Sequence, residues 1–223
     1  MMATSIRYIL GSRSPQRLEL LRMIVPAAQI DVVPPESAAE PDFAGLENWL
    51  DIRDRLLRIA RGKLQQVRAR IAAAQRERST IITADTAIVV QKSPRAGATP
   101  FTAPLLVLGQ PPETDTWRDV VRHWFTDHYA GQTHIAATAV CVAFPDGRTD
   151  ELVATTNVTM CSDVERWIDW YLDTGEPRGK AGGYALQGAG SVFVESVEGS
   201  LSNVIGLPLE AVMEMLAVGG TPA

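Results

Sequence analysis

Hydrophobic residues alternate between short runs rich in β-branched side chains and longer stretches with helical spacing, a pattern typical of α/β proteins. An apolar run over residues 6–10 predicts a first strand, and small and polar residues interrupt it at 11–14. Pro15 then opens a predicted helix, and Ser14 suits the N-cap position in front of it. The apolar face of this helix consists of Leu18, Leu21 and Val25.

The same patterns predict the elements of the rest of the chain. Further strands are expected over 29–33, 79–90, 135–144, 151–160 and 191–197, and helices over 46–78, 115–130, 162–175 and 208–217. Asp146 and Gly147 give a hairpin signal, and residues 162–165 have the spacing of a capping box. Residues 91–112, with a short apolar piece at 105–108, predict an extended loop. We expect one domain over 1–223 with an insertion-like loop at about 91–108.

Composition is that of an ordinary globular protein, because 46% of the 223 residues are hydrophobic and 21% are charged. The net charge of −5 argues against an extended nucleic-acid-binding surface. Two cysteines, Cys141 and Cys161, are too few for a disulfide framework, so we expect a reducing compartment such as the cytoplasm. No apolar run is long enough to span a membrane, and the N-terminus lacks a signal-peptide pattern.

Arginines are frequent between the apolar positions of the predicted 46–78 helix. An anion- or nucleic-acid-binding face is one interpretation. A solvated helix face is favoured, since acidic residues are interleaved and no aromatic platform accompanies the arginines. His123 and His128 lie five positions apart, which does not place two metal ligands on one helical face, so we expect packing or surface roles for them.

The turn at 11–14 combines features that bind anions. Hydroxyls of Ser12 and Ser14, guanidinium groups of Arg13 and Arg17, and the N–H groups of a helix N-terminus would converge there. Phosphate is the obvious anion. An ordinary strand-to-helix connection with solvated arginines is the alternative.

Asp85 is an anomaly in the otherwise apolar strand predicted over 79–90. A carboxylate in a buried strand is costly unless it is paired, hydrogen-bonded or bound to a metal. A structural carboxylate satisfied by an arginine is one interpretation, and a catalytic or metal-binding carboxylate is the other.

A polar segment with several glycines, EPRGKAGGYALQGAG, supplies further candidates. Its glycines allow the backbone to approach a ligand closely. Lys180 would provide a cation for phosphate, and the amide of Gln187 can both donate to and accept from a base edge. Taken with the 12–17 turn and Asp85, the segment suggests an anionic ligand and a divalent metal.

Five segments occur in the order SRSPQRLELL, TADTAIV, GQTHIAATAV, TGEPRGKAGGYALQGAG and GSLSNVIGLPLEAVMEML. Together they resemble the Maf family, also called septum-formation inhibitor homologues, over nearly the whole chain. The resemblance implies a nucleoside triphosphate pyrophosphatase that cleaves the α–β bond to give a monophosphate and pyrophosphate. It also implies an α/β fold related to the inosine triphosphate pyrophosphatases, a mixed sheet flanked by helices with a cleft between two lobes, and a homodimer.

The resemblance also implies roles for single residues. Asp85 would be the general base or the carboxylate that positions the attacking water, with Lys63 and Lys180 as catalytic lysines. The substrate-binding set is Ser12, Ser14, Gln16, Arg17, Thr86, Gln110, Glu176 and Gln187. Within it, Thr86 and Gln187 look like the dTTP/UTP branch of the family rather than the 7-methyl-GTP branch.

The expected cofactor is Mg²⁺ or Mn²⁺ on oxygen ligands. Asp85 and Glu40 are the candidate carboxylates, and Glu36 is the alternative to Glu40. The sequence shows no cysteine and histidine cluster of the kind that zinc prefers.

Two positions depart from the family pattern. Gln16 stands where the family has the first arginine of its S-P-R-R motif, and Gln110 stands where it has the lysine of G-K-P. Each change removes a cation and keeps an amide donor. Arg13, Lys92 and Arg95 are candidates to compensate.

Three functional hypotheses follow. The first is a house-cleaning pyrophosphatase for dTTP, UTP or related modified nucleotides. The second is a weakly active or inactive nucleotide-binding regulator of cell division, which the two lost cations favour. The third is nucleic-acid binding through the arginine-rich helix, which the acidic net charge opposes. We therefore expect a nucleoside triphosphate as ligand, with no stable nucleic-acid partner and no membrane attachment.

Overall fold

The computed structural model describes residues 6–36, 41–92 and 104–219. Its strands are β1 (Arg7–Leu10), β2 (Ile30–Val32), β3 (Ser79–Gln91), β4 (Leu105–Leu108), β5 (Thr133–Ala143), β6 (Thr149–Met160) and β7 (Val194–Glu198). Its helices are α1 (Pro15–Ile24), α2 (Trp49–Arg70), α3 (Ala73–Arg76), α4 (Trp117–Trp124), α5 (Ile168–Thr174), α6 (Leu201–Ile205) and α7 (Leu209–Gly219). The fold is therefore mixed α/β.

The strands form a single mixed sheet in the order β2-β1-β3-β5-β6-β7, and β4 also pairs with β3. Strands β1, β2 and β3 are parallel to one another, whereas β4, β5, β6 and β7 pair antiparallel with their neighbours. The expected mixed sheet flanked by helices is confirmed.

Strand β3 is the axis of this sheet, with 13 residues. Along one edge it pairs with β5 from Ile81 to Val89. Along the other edge β1 pairs with residues 79–82, and β4 pairs with residues 88–91. Between them, residues 83–87 have no strand partner on that edge among the residues described. We call this interval the β3 gap.

Helices cover both faces of the sheet. The long helix α2 packs on one face and buries an apolar stripe made of Ile52, Leu56, Ala60, Leu64 and Val67. The opposite face carries two apolar clusters. One joins β1 and β5 to α1 and α7, and the other joins the C-terminal end of β3 to α4 and α5. Successive side chains of β3 therefore point to different cores.

Several local predictions are confirmed. The Ser14 hydroxyl accepts a hydrogen bond from the Arg17 N–H (3.3 Å), and Pro15 is the first residue of α1. Gly147 adopts φ of 90° in the β5–β6 hairpin, and Gly175 adopts the left-handed conformation that ends α5. Within the described ranges, no helix combines the length and apolarity needed to cross a membrane.

Other local predictions are wrong. Residues 105–108, placed in a loop, form β4 because the long β3 offers them an unpaired edge. Residues 162–165 do not cap a helix, since Val164 reaches the core from a turn and α5 begins at Ile168. The predicted 115–130 helix is confirmed as α4, and only its last part, Phe125–Tyr129, differs by being π-helical. Helix α6 was not predicted.

The α2 stripe yields a stability prediction. Leu56 is fully buried in the stripe, whereas Leu50 on the same helix is 68% exposed. Leu56→Ala should lower the free energy of unfolding by about 2–5 kcal/mol, because it leaves a cavity. Leu50→Ala should change it by less than about 0.5 kcal/mol. Urea unfolding of both variants checks this, and equal losses would contradict the packing described.

Candidate active site

A cavity of about 780 Å³ opens at the β3 gap. Most of its lining comes from the turn after β1, residues 85–88 of β3, the end of β4 with the residues after it, and the glycine-rich segment 179–187. Lys63 of α2 and residues 204–205 of α6 also line it. The cavity lies there because β1 and β4 both end at the gap, so that their following turns face each other across it.

The structure brings most of the candidate residues together in this cavity. Those lining it are Ser12, Ser14, Gln16, Arg17, Lys63, Asp85, Thr86, Gln110, Lys180 and Gln187. Glu176 does not line it. Glu40 lies outside the described residues, and the alternative, Glu36, is exposed and absent from the cavity lining.

Asp85 is paired with a lysine, not with the arginine considered from the sequence. The Lys63 Nζ donates to Asp85 Oδ1 at 2.6 Å, and the two side chains are only 12% and 13% exposed. Lys63 projects from α2 toward β3, so the pair joins helix to sheet at the cavity wall. A largely buried ion pair of this length fixes the orientation of the carboxylate at the cavity.

The turn after β1 has the geometry of an anion site. The Ser14 N–H donates to Ser12 Oγ at 3.1 Å, and the Ser14 hydroxyl donates to Gln16 Oε1 at 3.1 Å. Gln16, in the position of the family arginine, thus hydrogen-bonds the N-cap residue of α1. The N-terminus of α1, with its N–H groups directed outward, faces the same cavity.

Arg17 is held on three sides. Its Nε donates to the Gly206 carbonyl at 2.8 Å, and its Nη2 donates to Thr86 Oγ1 at 2.9 Å. Its Nη1 lies 3.4 Å from Ser12 Oγ. These contacts fix the plane of the guanidinium at the cavity wall, beside the anion turn.

The glycine-rich segment packs tightly against the rest of the protein at Gly182. Gly182 has φ of 68°, and a Cβ there would lie 2.5 Å from the Tyr129 hydroxyl and 2.8 Å from Ile88. The Tyr129 hydroxyl donates to the Gly182 carbonyl at 2.8 Å. Glycine is therefore required here for conformation and for space. The segment presents Lys180 and Gln187 to the cavity.

Glu176 stabilises the glycine-rich segment from behind. Its carboxylate accepts from the backbone N–H groups of Ala189 (2.6 Å) and Gly190 (2.8 Å), and the Tyr171 hydroxyl lies 3.2 Å away. Burial, and secondarily the charge of Glu176, raise the pKa of the Tyr171 phenol, which therefore remains a donor. Substrate contact was expected of Glu176, but the structure places its carboxylate on the backbone of the segment.

A buried histidine lies beneath the same segment. His134 Nε2 is 2.8 Å from the hydroxyl of Tyr184, a residue that lines the cavity. Burial lowers the pKa of His134 to about 3, so the imidazole is neutral at physiological pH. Burial likewise raises the pKa of Tyr184. The His134–Tyr184 pair is thus polar yet uncharged.

The three residues considered as replacements for the cations absent at Gln16 and Gln110 lie in different places. Arg13 lines the cavity, and its guanidinium donates to the Pro35 and Glu36 carbonyls. Lys92 does not take the place of the missing lysine, because it forms an ion pair with Glu47 outside the cavity lining. Arg95 lies outside the described residues. The cavity therefore has Arg13, Arg17, Lys63 and Lys180 as its cationic side chains among those described.

Sequence reasoning missed three residues that support Arg17. They are Thr138, Asn203 and Gly206, which lie in β5 and at α6. A threonine in a strand and an asparagine within a short helix carry no signal by themselves. Their contacts appear only when β5 is paired with β3 and α6 packs on the sheet.

A family model and curated relatives point to one family. A model described as Maf-like protein matches residues 7–218. The dTTP/UTP pyrophosphatase of Anaeromyxobacter dehalogenans is 35% identical over 219 residues, which cover 97% of this chain and 95% of that protein. The dTTP/UTP pyrophosphatase of Methylobacillus flagellatus is 36% identical over 210 residues, covering 94% and 91%. A nucleoside-triphosphatase (dITP/XTP pyrophosphatase) structure from Mycobacterium abscessus is 15% identical, covering 70% and 74%, with a TM-score of 0.39.

Glu176 yields a prediction about the glycine-rich segment. Glu176→Gln replaces one carboxylate oxygen by an amide donor, which faces a backbone N–H of Ala189 or Gly190. We expect a loss of about 1–3 kcal/mol in unfolding free energy. Proteolytic cleavage within residues 176–190 should become faster. Unchanged stability and cleavage would show that the carboxylate does not hold the segment.

His134 yields a pH prediction. The folded protein holds this imidazole neutral down to about pH 3, whereas the unfolded chain takes up its proton near pH 6.5. The contribution of neutral His134 to the unfolding free energy is therefore fully present above pH 6.5. It is lost as the pH falls, because the unfolded chain then binds a proton that the folded protein does not. The unfolding free energy of the protein should fall relative to that of His134→Gln by about 1.4 kcal/mol per pH unit between about pH 6 and pH 4. Urea unfolding of both proteins across this range measures the difference, and parallel curves would contradict it.

Proposed function

The chain belongs to the Maf family, and we propose from that premise that it is a pyrophosphatase for dTTP and UTP. Hydrolysis of the α–β bond would give a nucleoside monophosphate and pyrophosphate. The observation that carries the proposal is the Asp85–Lys63 ion pair in a cavity that Arg17 and Lys180 also line. Two of the relatives bear the same activity in their names.

The cavity has the charges that triphosphate hydrolysis requires. A triphosphate chain carries several negative charges, and cations on opposite walls stabilise it. Arg17 stands on the β1 side of the gap and Lys180 on the glycine-rich segment. The anion turn, with the N-terminus of α1, would hold a terminal phosphate between them.

Asp85 would act on the attacking water. Its carboxylate accepts the water proton and directs an oxygen lone pair toward the α-phosphorus atom, in line with the leaving pyrophosphate. Lys63 keeps the carboxylate in a single orientation through the 2.6 Å ion pair. Orienting the water before reaction removes an entropic part of the barrier.

A divalent cation fits this donor set as a partner of the substrate. Among the residues described, no three acidic, histidine or cysteine side chains cluster to form a metal cage. Mg²⁺ is commonly bound by one or two carboxylates together with substrate phosphates, and Asp85 provides one such carboxylate at the cavity. Glu40, on the segment outside the described residues, is proposed as the second. The bound ion would neutralise phosphate charge.

Base recognition would fall to Gln187 on the glycine-rich segment. Thr86 and Gln187 both line the cavity, and Gln187 is exposed. An amide side chain there can pair with the carbonyl and imide groups of thymine or uracil. We also propose that the enzyme works in the cytoplasm as a homodimer that clears nucleotides.

Product analysis tests the proposal. The protein should release equal amounts of monophosphate and pyrophosphate from dTTP and UTP in the presence of Mg²⁺ or Mn²⁺. In ¹⁸O-labelled water the label should appear in the monophosphate, because water attacks the α-phosphorus. Label in pyrophosphate or successive release of orthophosphate would mean that another bond is cut. No release from any triphosphate would favour the nucleotide-binding regulator instead.

Asp85→Asn should lower kcat by at least about 100-fold, because the amide cannot take up the water proton. Asp31→Asn is the matched control. Asp31 also forms an ion pair with an arginine, Arg7, but it lies outside the cavity lining. Activity in Asp85→Asn equal to that of Asp31→Asn would contradict the role assigned to Asp85.

A further inference from the structure

A chain of hydrogen bonds runs from the cavity to helix α6. Arg17 Nη2 donates to Thr86 Oγ1 at 2.9 Å. The hydroxyl oxygens of Thr86 and Thr138 lie 2.9 Å apart, and the Thr138 hydroxyl donates to the Asn203 carbonyl at 3.1 Å. Thr86 and Thr138 are directly opposite each other on β3 and β5, so the sheet register itself creates their contact.

The direction of every hydrogen bond in this chain is fixed. A guanidinium can only donate, and a carbonyl can only accept. Each hydroxyl has one proton, so the Thr138 proton goes to the Asn203 carbonyl. Thr86 must then donate its own proton to Thr138. The Thr86 oxygen therefore has lone pairs, and no proton, to offer to Arg17 and to the cavity.

The acceptor at the end of the chain is held firmly. Asn203 is fully buried, and its Nδ2 donates to the Ala136 carbonyl at 3.0 Å and to Thr156 Oγ1 at 2.9 Å. Its backbone N–H donates to the hydroxyl of Ser200, the N-cap of α6. The other end of α6 provides the Gly206 carbonyl, which accepts from Arg17 Nε. One short helix thus fixes Arg17 directly and through the two threonines.

We propose that Thr138 is a positioning residue for the reaction proposed above. It does not itself line the cavity, and in the hydrogen bonds described it reaches Arg17 through Thr86. By accepting the Thr86 proton, it keeps Thr86 an acceptor for the guanidinium, and so holds Arg17 in the orientation that meets the phosphates. Without the Thr138 hydroxyl, the Thr86 proton loses the acceptor described for it and can turn toward the Arg17 N–H groups, which it repels.

Isosteric variants test this. Thr138→Val removes the hydroxyl and keeps the shape, whereas Thr138→Ser keeps the hydroxyl. Thr138→Val should lower kcat/KM for dTTP about tenfold, mainly through a higher KM, because it loosens a charged hydrogen bond to the substrate. Thr138→Ser should remain within about twofold of the wild type. A Thr138→Val enzyme with normal KM, or a serine variant as impaired as the valine variant, would overturn the proposal.

Thr133→Val is the matched control for stability. Thr133 is on the same strand and forms the same kind of cross-strand pair, with 2.8 Å between its hydroxyl and that of Thr159. It does not line the cavity. This variant should lose stability without a change in KM. A rise in KM equal to that of Thr138→Val would show that loss of a threonine pair in β5 acts on the site generally.

The Arg17→Ala background tests whether the effect passes through Arg17. There, Thr138→Val should cause no further change in kcat/KM, since the group that it positions is absent. A tenfold loss that persists in this background would contradict the proposal.

Calorimetric binding of inorganic pyrophosphate tests the positioning role of Thr138 separately from the proposed hydrolysis of nucleotides. A wild type that hydrolyses no nucleotide but binds pyrophosphate more tightly than Thr138→Val would refute the activity and support the positioning role. Equal binding by the two proteins, or no binding by either, would refute the positioning role.

Discussion

The β3 gap is the constraint on which the candidate site depends. Neighbouring residues of a strand point to opposite faces, so they normally serve different cores. Asp85 indeed contacts Lys63 on the α2 face, and Thr86 contacts Arg17 on the other face. Both line one cavity because β1 and β4 leave the edge open between them. A continuous strand pairing at this edge would close the cavity and separate the two residues.

The sequence predicted the main parts of this arrangement, because each part breaks a local rule. A carboxylate in an apolar strand identified Asp85, and a capped helix start after a strand identified the anion turn. Other parts obey local rules and leave no signal. Thr138 is ordinary in a strand, and its contacts with Thr86 and Asn203 span 52 and 65 positions. The same holds for β4, whose four residues form a strand only because β3 is long enough to pair with them.

Some charged residues near the cavity pair with each other at its wall, and others hydrogen-bond the backbone behind it. The sequence does not distinguish these two roles. Lys63 and Asp85 form their ion pair at the cavity wall. Glu176 directs its charge to backbone N–H groups and so shapes the segment that carries Lys180. Burial keeps His134 neutral beneath that segment and raises the pKa of Tyr184 within it. The neutral His134–Tyr184 pair adds no charge of its own to the field in the cavity.

The cations of the cavity differ in how firmly they are held, and this difference has a mechanistic consequence. The guanidinium of Arg17 makes described hydrogen bonds through Nε, Nη1 and Nη2. Lys180 extends from a glycine-rich segment, and no described hydrogen bond fixes its ammonium. A cation fixed before the substrate arrives costs little reorganisation and favours one phosphate position. A cation on a flexible stem follows charge as it moves toward the leaving group. The structure thus places the fixed cation beside the anion turn, and the adaptable cation on the opposite wall.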